Sequence, residues 1–241
     1  MPAVTSRSSA STPPLKAASF KARFWDRFAL GYAGGAIGDW AGYERSLART
    51  RELLSLSDSV LEVGCGTGAT ALTLALGTGP YLATDIAPKM IALANQRLAA
   101  SPRPNLRFAV EDADTSASDA AAPFDAVLAF NLLHLLDDLD AATARCARVL
   151  RPGGLFISKT ACLGEMNPLI PGLAVPLMRL VRLAPPVLVL RAADLAAACE
   201  RQGLEVLAVE RHASRGRDVR PFVVARKPIQ AGADPAGNAA R

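Results

Sequence analysis

The stretch Val60-Leu-Glu-Val-Gly-Cys-Gly-Thr-Gly68 decides the fold of this chain. It joins a short apolar run to a glycine-rich turn, and helix-forming residues follow over Ala69–Leu76. Gly64 and Gly66 carry no Cβ, so the backbone there can adopt positive φ and approach a ligand closely. The free N–H groups at the start of the helix favour an anionic group such as a phosphate or a carboxylate. The stretch therefore predicts a strand–turn–helix unit that cradles a ligand.

Similar units recur along the chain, because short apolar runs alternate with helical stretches. The predicted strands are Val60–Val63, Tyr81–Thr84, Leu106–Val110, Ala126–Phe130, Leu155–Lys159, Glu205–Glu210 and Phe222–Arg226. The predicted helices are Ala69–Leu76, Pro88–Ala100, Leu139–Leu150 and Ala192–Gln202. This alternation predicts an α/β fold with a parallel sheet covered on both faces. The polar link 211–221 is too short for a helical crossover, so the last two strands are predicted to form an antiparallel hairpin.

Composition and charge favour one globular domain. The chain has 241 residues, of which 51% are hydrophobic and 20% are charged, and this length allows a substantial core. Its formal net charge is +5, but four basic residues precede the first acidic residue, Asp26. Removing these four leaves +1 for the rest of the chain. We therefore expect no broad basic face and no nucleic-acid partner.

The two ends of the chain are predicted to be disordered tails, residues 1–22 and 229–241, because both are rich in small and polar residues. Residues 1–19 lack the apolar run of a secretory signal, although their lack of acidic residues leaves a transit peptide open. Four cysteines show neither C-x-x-C pairing nor zinc-ligand spacing: Cys65, Cys146, Cys162 and Cys199. We expect reduced thiols, no metal site and a cytoplasmic location.

The glycine-rich turn alone fits two cofactors, NAD and S-adenosylmethionine. Gly64, Gly66 and Ala69 satisfy the G-x-G-x-x-(G/A) pattern of dinucleotide-binding turns, and Asp85 follows about 20 residues later, where a ribose-binding acid belongs. Glu62 favours S-adenosylmethionine, because an acid inside the strand suits an amino group or a sulfonium and is poorly placed beside a pyrophosphate. The acidic run 111–114, which can accept from an adenine amine, and the C-terminal hairpin favour it too.

Four runs of sequence carry a family resemblance: VLEVGCGTG, ATDIAPKMI, FDAVLAFNLLHLL and ARVLRPGGLFIS. In this order and spacing the segment Val60–Thr160 resembles the class I S-adenosylmethionine-dependent methyltransferases, particularly the small-molecule group that includes the ubiquinone/menaquinone-type enzymes. Phe24-Trp25-Asp26-Arg27, followed by Tyr32, resembles the N-terminal helical cap of this group. The resemblance implies a Rossmann-like seven-stranded sheet, in the order 3-2-1-4-5-7-6 with strand 7 antiparallel, in a single domain over residues 23–228.

The resemblance also implies which residues contact the cofactor, S-adenosylmethionine. At its methionine end, the backbone of Gly64, Cys65 and Gly66 would approach the ligand. Glu62 would support this end, and Asn131 would lie beside it. An alternative for Asn131 is to cap the helical turn that follows.

At the nucleoside end, Asp85 would accept from the ribose hydroxyls, and Ile86 and Met90 would pack on the adenine. Asp112 would accept from the adenine amine, with the backbone of Ala113 beside it. The alternatives are that Asp85 caps the following helix, that Met90 is a core residue, and that Asp112 is a solvated loop acid.

His134 is the candidate catalytic base. It follows the fourth strand, at the edge where open α/β sheets bind ligands, and a base is needed only if the acceptor must lose a proton. Its neighbours are leucines, so a half-buried structural histidine is the alternative. The run Asn131-Leu-Leu-His134 differs from the Asn/Asp-Pro-Pro-aromatic run of enzymes that methylate nucleobase or glutamine amino groups. This difference disfavours N-methylation of nucleic-acid bases.

The segment 164–190 is apolar, interrupted by Arg179 and Arg182, and broken by five prolines. This pattern argues against a membrane span and predicts short helices that form a lid over the acceptor site. The acceptor is then a small apolar or amphipathic molecule, including lipid-like ones. A lid simply packed on the core and peripheral membrane contact through the two arginines are alternatives.

Two other functions stay open at this stage: a non-catalytic cofactor-binding protein of the same fold, and an NAD(P)-dependent oxidoreductase.

Overall fold

A mixed seven-stranded sheet forms the centre of the molecule in a computed structural model, which describes residues 19–35, 38–115, 123–180 and 183–229. Its strand order is β3-β2-β1-β4-β5-β7-β6. The strands are β1 (Val60–Val63), β2 (Tyr81–Asp85), β3 (Leu106–Val110), β4 (Phe124–Phe130), β5 (Leu150–Lys159), β6 (Glu205–Glu210) and β7 (Phe222–Arg226). Neighbouring strands among β1–β5 pair in parallel, and β7 is antiparallel to both β5 and β6. The predicted strand order and antiparallel seventh strand are confirmed.

Helices cover both faces of the sheet. They are α1 (Phe20–Gly34), α2 (Trp40–Leu53), α3 (Ala69–Leu74), α4 (Pro88–Ala100), α5 (Leu139–Val149), α6 (Val175–Leu180) and α7 (Ala192–Arg201). One core cluster joins Leu61 and Val63 of β1 to α5 and α7. The other joins Val60 of β1 to α2, α3 and α4. Alternate strand residues therefore point to opposite helix layers, and all four positions of β1 are buried.

The strand β5 begins at Leu150 and not at the predicted Leu155. Leu150 pairs with Phe124, and the register then shifts before the next pair, Ala126 with Leu155. Gly153 has φ +83°, which fits a β-bulge that a glycine accommodates in the left-handed region. The Arg-Pro-Gly-Gly run thus forms an irregularity within the strand, whereas the sequence predicted a turn before it.

The helix α1 begins at Phe20, which corrects the predicted end of the tail at residue 22. The Ser19 hydroxyl oxygen accepts a hydrogen bond from the Ala22 N–H (3.2 Å), and Ala22 is buried. Lys21 forms ion pairs with Asp114 (2.5 Å) and Asp137 (2.8 Å). These contacts order residues that composition alone assigned to a tail. The predicted tail residues 1–18 and 230–241, the side chain of Tyr32, and Arg182 all lie outside the described residues.

The segment 164–190 contains short helical elements, as predicted. A 3₁₀ turn (Leu163–Glu165) precedes a π-helical turn (Ile170–Ala174), which continues into α6. No residue from Ile170 to Leu180 is buried, and Leu180 is 79% exposed. The alternative of a lid packed on the core therefore does not hold for α6. None of the helices in the described ranges is long and apolar enough to cross a membrane.

Candidate active site

An open cavity of about 1390 Å³ lies at the carboxyl ends of β1 to β5, where open α/β sheets bind ligands. Trp25 and Phe28 of α1 and Tyr43 of α2 line it from the other side. Every residue predicted for the site contributes to its wall: Glu62, Gly64, Cys65, Gly66, Asp85, Ile86, Met90, Asp112, Ala113, Asn131 and His134. The fold thus brings to one cavity residues that are spread over about 70 positions of sequence.

The glycine-rich turn after β1 has the left-handed backbone that its sequence predicted. Gly64, Gly66 and Gly68 have φ values of +68°, +55° and +78°. A Cβ on Gly64 would lie 2.6 Å from Cδ1 of Leu132, and one on Gly68 would lie 2.5 Å from Cζ of Phe108. The left-handed conformation therefore favours glycine at positions 64 and 68, and a Cβ at either position would also displace the end of a neighbouring side chain. Gly68, which the motif did not single out, is the N-cap of α3.

Asp85 connects the glycine-rich turn to the start of α4. Its Oδ2 accepts from the Gly66 N–H and its Oδ1 accepts from the Ala87 N–H, both at 2.9 Å. Burial raises the pKa of Asp85, and these two hydrogen bonds oppose that rise. A carboxylate oxygen has two lone pairs, so each oxygen retains capacity for a further donor such as a ribose hydroxyl.

Glu62 is a buried carboxyl group on the cavity wall, with 2% of its surface exposed. Tyr81 donates a hydrogen bond from Oη to Oε2 of Glu62 at 2.7 Å. Burial raises the pKa of Glu62 to about 7, the Tyr81 hydrogen bond opposes this rise, and the charge of Asp85 adds to it. A ligand with a positive charge next to Glu62 would stabilise the carboxylate. Tyr81 was not predicted from the sequence, although a tyrosine at the start of a buried strand indicates a polar partner for its hydroxyl.

Two aspartates in the acidic loop after β3, Asp112 and Asp114, have different roles. Asp112 accepts from the Asp114 N–H at 2.9 Å and is partly exposed. Asp114 is largely buried, pairs with Lys21 and accepts from the Asp137 N–H at 3.0 Å. Asp114 therefore fastens α1 to the loop, whereas Asp112 is available to a ligand. The Ala113 carbonyl accepts from Arg145 at 2.9 Å.

Asn131 follows β4 with φ +53°, the sole positive φ of a non-glycine residue in the described ranges. Asparagine tolerates this conformation better than most residues. Its N–H donates to the Lys159 carbonyl at 2.6 Å, which holds the loop against β5. The following 3₁₀ turn, Leu133–Leu135, has no side-chain cap, so the alternative of Asn131 as a helix cap does not hold.

His134 lies in this 3₁₀ turn and is half-buried. Its Nδ1 lies 2.8 Å from Oγ1 of Thr160, and its carbonyl accepts from the Leu188 N–H at 2.8 Å. Burial lowers the pKa of His134 to about 4, and the positive charge of Arg220 lowers it further. The ring is therefore neutral near pH 7, with Nε2 as its remaining nitrogen. Thr160 was not predicted from the sequence, because its contact joins the end of β5 to the turn after β4.

Two hydrophobic residues complete the predicted nucleoside end. Met90 of α4 is 2% exposed and packs with Ala29 of α1 and with Ala87. Ile86 lies between Asp85 and α4 and is half-buried. Met90 thus lies on the cavity wall and in a small core cluster, so both of its predicted roles fit its position.

The thiol on the cavity wall lies in an environment that disfavours its reactive form. Cys65 lies on the cavity wall, and burial raises its pKa well above the ordinary value of 9.0, which disfavours the reactive thiolate. All four cysteines are buried and free. Within the part of the chain that the structure describes, no group of three or more His, Cys, Asp or Glu side chains could hold a metal ion.

Comparisons with known proteins give the class of this fold. The described chain superposes on the cyclase SpnF with a TM-score of 0.70 and 22% identity, covering 87% of this chain and 95% of that one. It superposes on magnesium protoporphyrin IX methyltransferase from Synechocystis, solved with bound S-adenosylhomocysteine, with a TM-score of 0.63 and 17% identity, covering 86% and 96%. At these identities the likeness establishes a Rossmann-like methyltransferase fold.

Sequence comparison is more specific over the central part of the chain. Residues 60–154 match a family model described as a methyltransferase domain. Ubiquinone biosynthesis O-methyltransferase from Xanthomonas oryzae is 35% identical over 101 residues, which is 41% of this chain and 41% of that relative. The iterative polyketide synthase afoE from Emericella nidulans is 35% identical over 121 residues, 46% of this chain and 4% of the synthase. The chain thus spans less than half the length of these relatives.

The strand order, the glycine-rich turn and these matches agree. Residues 60–154 are a methyltransferase domain by sequence, and the described fold is that of the class I S-adenosylmethionine-dependent methyltransferases, as the motifs predict. S-adenosylmethionine is the cofactor of that class.

Proposed function

We propose that this protein binds S-adenosylmethionine in the cavity at the ends of β1 to β3 and transfers its methyl group to a small apolar or amphipathic acceptor. The observation that carries the proposal is the buried carboxyl group of Glu62 beside the glycine-rich turn. Glu62 forms no salt bridge with any described residue, so its charge has no cation to compensate it. The ammonium or sulfonium of the cofactor supplies that cation, and a pyrophosphate would repel it.

The cofactor supplies the activated methyl group, and the residues of this chain supply position and electrostatics. The backbone of Gly64–Gly66 admits the methionine end closely. Asp85 accepts from the ribose hydroxyls, and Asp112 accepts from the adenine amine. Holding the acceptor in line with the methyl group accounts for roughly 7–11 kcal/mol of the barrier.

His134 holds the acceptor and accepts a proton from it where the acceptor atom carries one. A pKa of about 4 makes His134 a weak base, so it serves best for an acceptor whose own proton is acidic. The contact between Nδ1 and Thr160 fixes the ring orientation.

The hydrophobic lining of the cavity near His134 favours an apolar or amphipathic acceptor. Six hydrophobic side chains form this lining: Phe130, Leu132, Leu135, Leu136, Leu183 and Pro185. Leu183 and Pro185 come from the end of the predicted lid, so this end, and not α6, covers the acceptor. The name of the Xanthomonas relatives, which concerns ubiquinone biosynthesis, supports a small-molecule acceptor.

Calorimetric titration with S-adenosylmethionine, S-adenosylhomocysteine and NADH tests the cofactor assignment. We expect the first two to bind and NADH not to bind. Glu62→Gln weakens binding of the first two, while Glu205→Gln on the exposed strand β6 serves as the matched control. Binding of NADH alone would contradict the assignment.

Turnover is then measured as S-adenosylhomocysteine formed from a library of small phenols, acids, amines and lipids. Methylation of a library member supports an enzyme. Tight binding of S-adenosylmethionine without turnover of any acceptor would instead favour the non-catalytic alternative.

A further inference from the structure

The charged residues on the cavity wall are divided between its two sides. The side formed by the ends of β1 to β3, the cofactor side, carries five acidic residues: Glu62, Asp85, Glu111, Asp112 and Asp114. Its two basic residues are already engaged, because Lys21 pairs with Asp114 and Arg97 donates to Thr67 at 2.6 Å. This acidic side suits S-adenosylmethionine, whose sulfonium and ammonium outweigh its single carboxylate.

The opposite side of the cavity, the acceptor side, is basic. It carries Lys159 at the end of β5 and three arginines on the link between β6 and β7: Arg215, Arg217 and Arg220. The three guanidinium groups form no hydrogen bond or ion pair with any residue in the described ranges. Lys159 donates to the neutral Ser46 hydroxyl at 2.6 Å, so this ammonium also lacks a carboxylate in direct contact.

The two acidic residues of the acceptor side are occupied by the backbone of the same link. Asp218 accepts from the N–H groups of His212 (2.6 Å), Ala213 (2.8 Å) and Arg220 (2.9 Å). Asp39 accepts from the Ser214 N–H at 2.9 Å. These contacts order the link and hold its arginines at the cavity, and they leave the four cations in excess over two carboxylates.

We infer that the methyl acceptor carries an anionic group, such as a carboxylate or a phosphate, which binds the basic link 215–220 and Lys159. Arginine binds such groups through parallel N–H donors. The apolar wall formed by Leu135, Leu136 and Leu183 would then contact the rest of the acceptor. This inference rests on the proposed function, because it places the acceptor beside a bound cofactor.

The same basic link does not form the broad positive surface that a nucleic acid needs. Its arginines line the mouth of a cavity, and the net charge of the chain outside its first 25 residues is only +1. A compact organic anion therefore fits the observations better than a polyanion.

The test uses protein saturated with S-adenosylhomocysteine and two pairs of probes, 3-hydroxybenzoate with 3-hydroxybenzamide and decanoate with decanamide. Each pair differs only in the charge of one group. Calorimetry is expected to show each acid binding about tenfold more tightly than its amide, equivalent to about 1.4 kcal/mol. Added salt weakens the binding of the acids and not that of the amides.

The double variant Arg217→Gln/Arg220→Gln is expected to abolish this preference, while Arg107→Gln on the edge strand β3 leaves it intact. Equal binding of acids and amides, no binding of either acid at millimolar concentration, or an equal loss in the Arg107 control would overturn the inference. Saturation with S-adenosylhomocysteine is verified first on the same sample. If the protein binds S-adenosylhomocysteine but shows no preference for the acids, this inference alone is refuted. If the protein does not bind S-adenosylhomocysteine, the proposed function is refuted and the inference with it.

Discussion

Replacing Glu62 with glutamine should stabilise the ligand-free protein at high pH and weaken its cofactor binding, two effects of opposite sign. The folded-state pKa of Glu62 is about 7, against an ordinary value of 4.5. Because the pKa of Glu62 is raised, this carboxyl group is protonated in the folded protein but ionised in the unfolded chain between about pH 4.5 and pH 7. Folding stability therefore falls as pH rises from about 4.5 to about 7, and it stays level above that.

The difference of about 2.5 in pKa corresponds to a loss of about 3 kcal/mol, at about 1.4 kcal/mol per unit. Glutamine cannot ionise, and its side-chain oxygen can still accept from Tyr81. We expect the gap in unfolding free energy between variant and wild type to move by about 3 kcal/mol in favour of the variant between pH 4.5 and pH 8.

Urea unfolding of both proteins at several pH values measures this gap without any ligand. The change of the gap with pH, and not its absolute size, isolates the ionisation, because the new amide group also alters hydrogen bonding at every pH. The affinity for S-adenosylhomocysteine, measured at pH 8, should fall about tenfold or more, since a hydrogen bond to a charged group is worth about 1.5–3 kcal/mol. A gap that is constant from pH 4.5 to pH 8 would refute the reasoning.

Three further perturbations address other parts of the site. Gly64→Ala should destabilise the fold by about 1–3 kcal/mol through backbone strain and abolish S-adenosylhomocysteine binding. Adding Leu132→Ala should relieve the steric clash but not the backbone strain. If Gly64→Ala is as stable to urea as the wild type, this prediction is wrong. His134→Ala should lower kcat strongly with little change in cofactor affinity, and unchanged turnover would exclude His134 as a catalytic residue. Because the pKa of His134 is about 4, its protonation should not lower wild-type activity between pH 8 and pH 6. Peripheral membrane contact through the exposed apolar segment predicts co-sedimentation with anionic vesicles, which Leu177→Ser/Leu180→Ser should reduce, and failure of the wild type to sediment would remove that contact.

The strands of the sheet could be predicted because each one is specified by its own residues and those that bound it. Strands β1 to β4 are short apolar runs bounded by glycine, proline or acidic residues, and the link 211–221 is too short to allow a parallel connection between β6 and β7. The start of β5 could not be predicted in this way, because the Arg-Pro-Gly-Gly run reads as a turn. Only the pairing of Leu150 with Phe124, which are distant in sequence, shows that the strand begins before it.

Site residues that belong to a motif could be predicted from the sequence. Site residues whose role depends on a partner distant in the sequence were missed. Asp85 and Gly64 lie at fixed distances from β1, so their place on the cavity wall follows from the motif. Tyr81, Thr160 and Arg220 act through Glu62 and His134, and no spacing in the chain connects these residues. The order of residues 20–22 was missed because the ion pair of Lys21 involves Asp114, 93 residues away.

The left-handed backbone at Asn131 restricts how this protein can vary during evolution. A β-branched residue there would strain the backbone, so we expect relatives to carry asparagine, aspartate or glycine at this position. The next residue, Leu132, occupies the space that a side chain at position 64 would fill. Loss of the glycine would then displace the Leu132 side chain as well as strain the backbone, so we expect a smaller residue at position 132 in relatives that lack this glycine.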